Sequence, residues 1–209
     1  MKPEQYLKDP CGASSLPFWK TNAVSVPPTI KVIRDDAFHS ANETGADTPY
    51  FKMIHRLSGL TRQKLPSGFS LIAADAETLA AHIQSCYEFE SVTAVELRRC
   101  AERSVYRADL RIAVRDDASG RIVASGIADL DESIREGILE WIQVSPEYRR
   151  RGLGRYVVNE LLFRMRDAAD FATVSGRLNS RSNPFALYRS CGFCDPVIWH
   201  VVRSDPQNK

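Results

Sequence analysis

No run in this 209-residue sequence is apolar for long enough to cross a bilayer, and Met1-Lys2-Pro3-Glu4-Gln5-Tyr6 lacks the apolar core of an export signal. A cytoplasmic protein with no membrane partner is expected. Charge excess is also missing. With 28 Lys and Arg against 26 Asp and Glu, the formal charge of +2 creates no global pull toward nucleic acid or an anionic surface. Cysteines are few and odd in number, at positions 11, 86, 100, 191 and 194, which argues against a disulfide framework. Cys191-Gly-Phe-Cys194 has the spacing of a redox or zinc site. No second pair lies nearby and His200 is the only close histidine, so packed thiols and no metal are expected. Internal repeats and low-complexity segments are absent. The hydrophobic fraction of 44% and charged fraction of 26% are ordinary for a globular chain long enough to build one large domain.

Two regions differ in texture. Residues 1–68 are irregular, with prolines at 10, 17, 27 and 28, a polar run Ser40 to Asp47, and two strand-like pieces, Thr29 to Arg34 and Tyr50 to Leu57. They read as an accessory region, and residues 69–209 as the main domain. Within the latter, Phe69 to Ala74 is a short apolar strand, and Ala76 to Tyr87 a helix that Asp75 can cap. Thr93-Ala-Val-Glu96 is a capping box, with Val92 and Leu97 at the positions of a hydrophobic staple, and opens a helix to about Arg103. Leu110, Ile112 and Val114 alternate with Asp109, Arg111 and Arg115; turn residues Asp116 to Gly120 follow; Ile122 to Leu130 returns as a mostly apolar strand. Ile138 to Val144 is a third strand, ended by Ser145-Pro146. The spacing of Leu153, Tyr156, Val157, Leu161 and Met165 predicts an amphipathic helix. A strand at Phe171 to Ser175, a short helix at Pro184 to Ser190 and a strand at Val197 to Val202 complete the chain.

The chemistry concentrates between the third strand and the long helix, in Val144-Ser-Pro-Glu-Tyr-Arg-Arg-Arg-Gly-Leu-Gly-Arg155. Gly152 and Gly154 remove side chains where a ligand would approach the backbone. The unpaired N–H groups of a helix start, at the positive end of its dipole, favour phosphate or pyrophosphate. Arg149, Arg150, Arg151 and Arg155 surround that spot. There is no Gly-Lys-Ser/Thr of a P-loop, and Gly152-Leu-Gly154 lacks the third glycine of a dinucleotide fingerprint. A lone basic run in a nearly neutral chain is weak support for nucleic-acid binding, and none is expected.

Arg149-Arg-Arg-Gly152-Leu-Gly154, with Pro146-Glu-Tyr before it, resembles the Arg/Gln-x-x-Gly-x-Gly/Ala signature of the GNAT superfamily of N-acetyltransferases. Asn183-Pro-Phe-Ala-Leu-Tyr188-Arg-Ser-Cys-Gly192-Phe193 resembles the family's second motif. The likeness covers roughly Phe69 to Arg203. It implies an α+β fold with a mixed, mostly antiparallel central sheet flanked by helices, and acetyl-coenzyme A as cosubstrate in a gap between the strands Ile138 to Val144 and Phe171 to Ser175. By the family pattern the amides of Arg149, Arg150, Arg151, Gly152, Leu153, Gly154 and Arg155 hold the pyrophosphate, and the backbone of Ile142 and Val144 pairs with the pantetheine arm. Tyr188 matches the general acid. Asn183 stands closer to Tyr188 than the corresponding family asparagine, so Asn179 is its rival for the cosubstrate contact. For the base, Glu140 is an acid in an apolar run next to the expected acetyl position. His55 and His82 are set aside as packed or solvated. The implied reaction is acetyl transfer to a primary amine of a small molecule or peptide by direct attack in a ternary complex. A non-catalytic acyl-coenzyme A binding module is the alternative, and a homodimer is one candidate assembly. Asp129, Asp131, Glu132 and Glu136 cluster around the loop that would border the acceptor cleft, suiting a cationic amine or simply solvating a loop.

Overall fold

The computed structural model describes residues 1–87, 91–180 and 182–204. Among these are eight strands and six α-helices, and every register-defined strand pair is antiparallel. This is the α+β architecture expected. The chain forms two compact units, Met1–His55 with Thr173–Lys209, and Arg56–Ala172.

In the first unit, helices α1 (Pro3–Lys8) and α2 (Phe18–Ala23) precede β1 (Ile30–Arg34) and β2 (Ala46–His55). The proline-marked start discloses neither helix, because each is only six residues long and neither has a Ser, Thr, Asp or Asn at its N-cap. After β7 (Phe171–Arg177), whose last five residues belong here, come α6 (Pro184–Ser190) and β8 (Cys194–Arg203). The neighbours run β1-β8-β2-β7. Lys52 on β2 is 1% exposed, and its ammonium shares its three N–H donors among four oxygens, Tyr6 Oη, Pro10 O, Ser14 O and Leu16 O, at 2.7 to 2.9 Å. A buried cation is tolerable only when so fully hydrogen-bonded, so Lys52 fastens residues 6 to 16 onto β2. His200 on β8 stacks on Phe38 and bonds Asp35 and Asp47 at 3.0 and 2.8 Å; these carboxylates outweigh burial and raise its pKa.

In the second unit, β3 (Phe69–Ala73), β4 (Arg111–Asp116), β5 (Ile122–Asp131) and β6 (Glu136–Val144) form an antiparallel meander in the order β6-β5-β4-β3. Helix α3 (Ala76–Cys86) is capped by Asp75, which accepts from Thr78 N at 2.8 Å. Helix α4 (Ala94–Arg99) has the capping box read from Thr93 and Glu96, and continues as a 3-10 turn over Cys100–Glu102. Helix α5 (Leu153–Met165) packs closely on the sheet because two strand positions lack a side chain. A Cβ on Gly126 would lie 2.5 Å from Val157 Cγ1, and one on Gly137 would collide with Met165. No helix among the described residues is long and apolar enough to cross a membrane.

Candidate active site

The turn before α5 has the backbone the sequence implied. Pro146–Tyr148 form a 3-10 turn after β6, Arg150 takes φ 63°, and Gly152 sits at φ 83°, ψ −7° as the N-cap of α5 with no side-chain cap. The first intrahelical bond is Tyr156 N to Gly152 O, 3.0 Å. The amides of Leu153, Gly154 and Arg155 therefore have no helical acceptor, which makes this helix start a donor cluster for an anion. The turn is braced from behind: Tyr148 Oη donates to Asp116, and Arg121 pairs with Glu147 at 2.9 Å. Two of the four arginines lie back on the turn. Arg149 Nε donates to Val144 O, and Arg151 lies over the Tyr148 ring and donates to Glu147 O. Arg150 and Arg155 are exposed.

The strand register orients Ile142 and Val144. Ser145 N donates to Val123 O, and the ladder continues with Gln143 opposite Ser125 and Trp141 opposite Ile127. Bonded pairs alternate with non-bonded ones in an antiparallel ladder. Ile142 and Val144 thus present N–H and C=O on the edge of β6 facing away from β5, as pairing with an extended ligand arm requires. Those carbonyls are reached by Tyr87 Oη and Arg149 Nε, at 3.4 and 3.2 Å.

Glu140 sits at a feature that sequence periodicity did not disclose. Ala128 faces Leu139 while Ile127 faces Trp141, so Glu140 is an extra residue, a β-bulge. Side chains of a regular strand alternate between faces, yet here Glu140 and Trp141 both line one cavity of about 100 Å³ beneath α3 and α4. Arg103, Tyr106, Arg111 and Asp129 also line it. Arg111, grouped with outward polar positions by its alternation, is instead buried. It pairs with Asp129 at 2.6 Å, bonds Ala128 O and lies 4.5 Å from the Tyr106 ring centroid. A carboxylate inside the apolar run Ile122 to Leu130 was the sequence's only hint of this pair. The acidic cluster is likewise not a solvated loop: Asp129, Asp131 and Glu136 are buried, Asp131 accepts from Ser133, and exposed Glu132 pairs with Arg107.

His82 is packed rather than solvated. Its Nδ1 lies 2.8 Å from Ser125 Oγ and its Nε2 3.1 Å from Ser145 Oγ. Gln143 also donates to Ser125, and the ring thus bridges the hydroxyl of Ser125 and that of Ser145, the residue that opens the turn. Burial lowers the His82 pKa to about 4.

In the other unit, Tyr188 on α6 is buried with its ring 6.1 Å from Phe51 and 5.6 Å from Phe193. Asn183 caps α6 through Ala186 N and adopts a left-handed backbone, φ 47°, while Asn179 is exposed in the turn after β7. His55, whose pKa burial lowers, packs edge-on against Phe193. None of the five cysteines is joined in a disulfide, and no group of three or more metal-ligating side chains occurs among the described residues.

Comparison with known proteins agrees with the fold. Residues 103–195 match the family model for an acetyltransferase (GNAT) domain. The chain resembles a GCN5-related N-acetyltransferase from Sphaerobacter thermophilus, with TM-score 0.68 and 16% identity over 85% of this chain and 60% of that one. An acetyltransferase of the GNAT family from Colwellia psychrerythraea gives TM-score 0.58 and 12% identity, over 83% of this chain and 64% of that one. The chain thus spans less than two thirds of the length of either. No curated protein matches the sequence. Residues 103–195 are thus similar to a GNAT acetyltransferase domain.

Proposed function

We propose that the protein transfers an acetyl group from acetyl-coenzyme A to a primary amine by direct attack in a ternary complex. The observation that carries this is the uncapped start of α5: a left-handed Gly152 followed by three amides without helical acceptors, at the end of a strand whose outer edge offers Ile142 and Val144. Those groups fit the pyrophosphate and pantetheine of the cosubstrate, which supplies the activated acetyl group. The arginines at 149, 150, 151 and 155 add positive potential around the same amides.

Glu140 takes the proton of the attacking ammonium from its place on the bulge. As the new C–N bond forms and the C–S bond breaks, the Tyr188 hydroxyl gives its proton to sulfur, the new amide nitrogen sheds its surplus proton to solvent, and solvent returns a proton to Tyr188. Tyr188 supports this reading through its motif and through an aromatic surround that fixes its ring. Asn183 serves as a helix cap, which leaves Asn179 as the asparagine assigned to the cosubstrate.

Calorimetric titration tests the reading. Acetyl-coenzyme A should bind the native protein, and Gly152→Glu should abolish binding while circular dichroism stays native. Native affinity in that variant sinks the assignment.

A further inference from the structure

This inference rests on the cosubstrate reading proposed above. We propose that Tyr87 belongs to the cosubstrate site, where its hydroxyl holds the carbonyl of Ile142 until the pantetheine arm displaces it.

Ile142 and Val144 turn their C=O groups away from β5, because Trp141, Gln143 and Ser145 stand at the bonded positions of the ladder. An outward carbonyl on a strand edge takes its donor from elsewhere. Two side chains supply one each: Tyr87 Oη donates to Ile142 O at 3.4 Å, and Arg149 Nε donates to Val144 O at 3.2 Å. An extended arm with amides along it brings N–H donors to the same two oxygens, as an added strand would. The side chains and the arm therefore compete for one set of acceptors.

Tyr87 is placed to give way. Its contact is longer than the roughly 2.7–2.8 Å usual for a hydroxyl donor, so it is weak. The residue is exposed, and a displaced hydroxyl passes to water at little cost. Its ring meets Trp141 edge-on with centroids 5.7 Å apart, and its own N–H closes the end of α3 on Ile83 O. Helix α3 is in turn tied to the sheet by His82, between Ser125 and Ser145. The fold thus keeps the ring beside the edge, and a small tilt is enough to surrender the carbonyl. Arg149 caps Val144 in the same way, but its charge also favours the phosphates, so Tyr87 is the position at which the exchange can be isolated.

A protein that must first break an internal hydrogen bond binds more weakly, by the fraction of molecules in which the edge is open. The test compares coenzyme A with its nucleotide half, 3′-phospho-ADP, which keeps the pyrophosphate and lacks the arm. Calorimetry reads both ligands against the native protein and Tyr87→Phe, which keeps the ring on Trp141 and removes only the hydroxyl. We expect coenzyme A to bind Tyr87→Phe about two- to tenfold more tightly, the worth of one neutral hydrogen bond, and 3′-phospho-ADP to bind both proteins equally. If Tyr87 merely braced the end of α3, its loss would leave coenzyme A affinity unchanged or weaken it, and either result would overturn the proposal. A gain shared equally by 3′-phospho-ADP would overturn it too. Failure of both ligands to bind the native protein would bring down the cosubstrate reading itself, and this proposal with it.

Discussion

His82 gives a quantitative forecast of how this protein answers to acid. Its ring is buried between Ser125 and Ser145, and burial holds its pKa near 4 against an ordinary 6.5. Between those values the unfolded chain binds a proton that the folded chain refuses, so stability is complete above pH 6.5 and drains away as pH falls toward 4. Linkage puts the loss at about 2 kcal/mol by pH 5 and about 3 kcal/mol by pH 4. Carboxylates titrate in the same range, so the informative quantity is a difference. His82→Gln keeps a neutral donor and acceptor but cannot take up the proton. Urea denaturation of both proteins at pH 7.5, 6 and 5, with equal slopes against urea, gives that difference directly. The stability advantage of the native protein over His82→Gln should shrink by about 2 kcal/mol between pH 7.5 and pH 5. A difference that stays constant across this range would refute the claim that a buried neutral imidazole clamps the start of the turn.

Other perturbations separate packing from chemistry. Tyr188→Phe keeps the ring against Phe51 and Phe193, so kcat should fall by about 10² or more while acetyl-coenzyme A affinity stays within twofold, as stopped-flow thiol release and calorimetry will report. Lys52→Met strands three backbone carbonyls and the Tyr6 hydroxyl, and should destabilise by about 3 kcal/mol and expose residues 6 to 16 to limited proteolysis. Gly126→Ala drives a methyl into Val157 and Leu161, and should cost about 1–3 kcal/mol in urea denaturation.

Much of the fold was legible because the deciding signals are local. The capping residues Asp75, Thr93 and Glu96, the Ser145-Pro146 stop and the apolar spacing of α5 each act within a few residues, and each appears where it was read. The turn before α5 was legible for the same reason, since one of its left-handed positions falls on Gly152. What stayed hidden depends on partners distant in sequence. Arg111 looked like a solvent-facing position because alternation says nothing about Asp129 on the next strand. His82 looked dispensable because Ser125 and Ser145 lie 43 and 63 residues away. The bulge was invisible because it is a mismatch between two strands rather than a property of either.

That mismatch decides how this protein can change. A substitution at position 140 alters what is offered to the cavity, but gaining or losing one residue between Gly137 and Trp141 alters which residue is offered. Removing the extra residue would leave every hydrogen bond of the ladder satisfiable and would return neighbouring side chains to opposite faces. A chemically conservative protein could thus lose its proposed base, with its composition almost untouched, through a single-codon deletion.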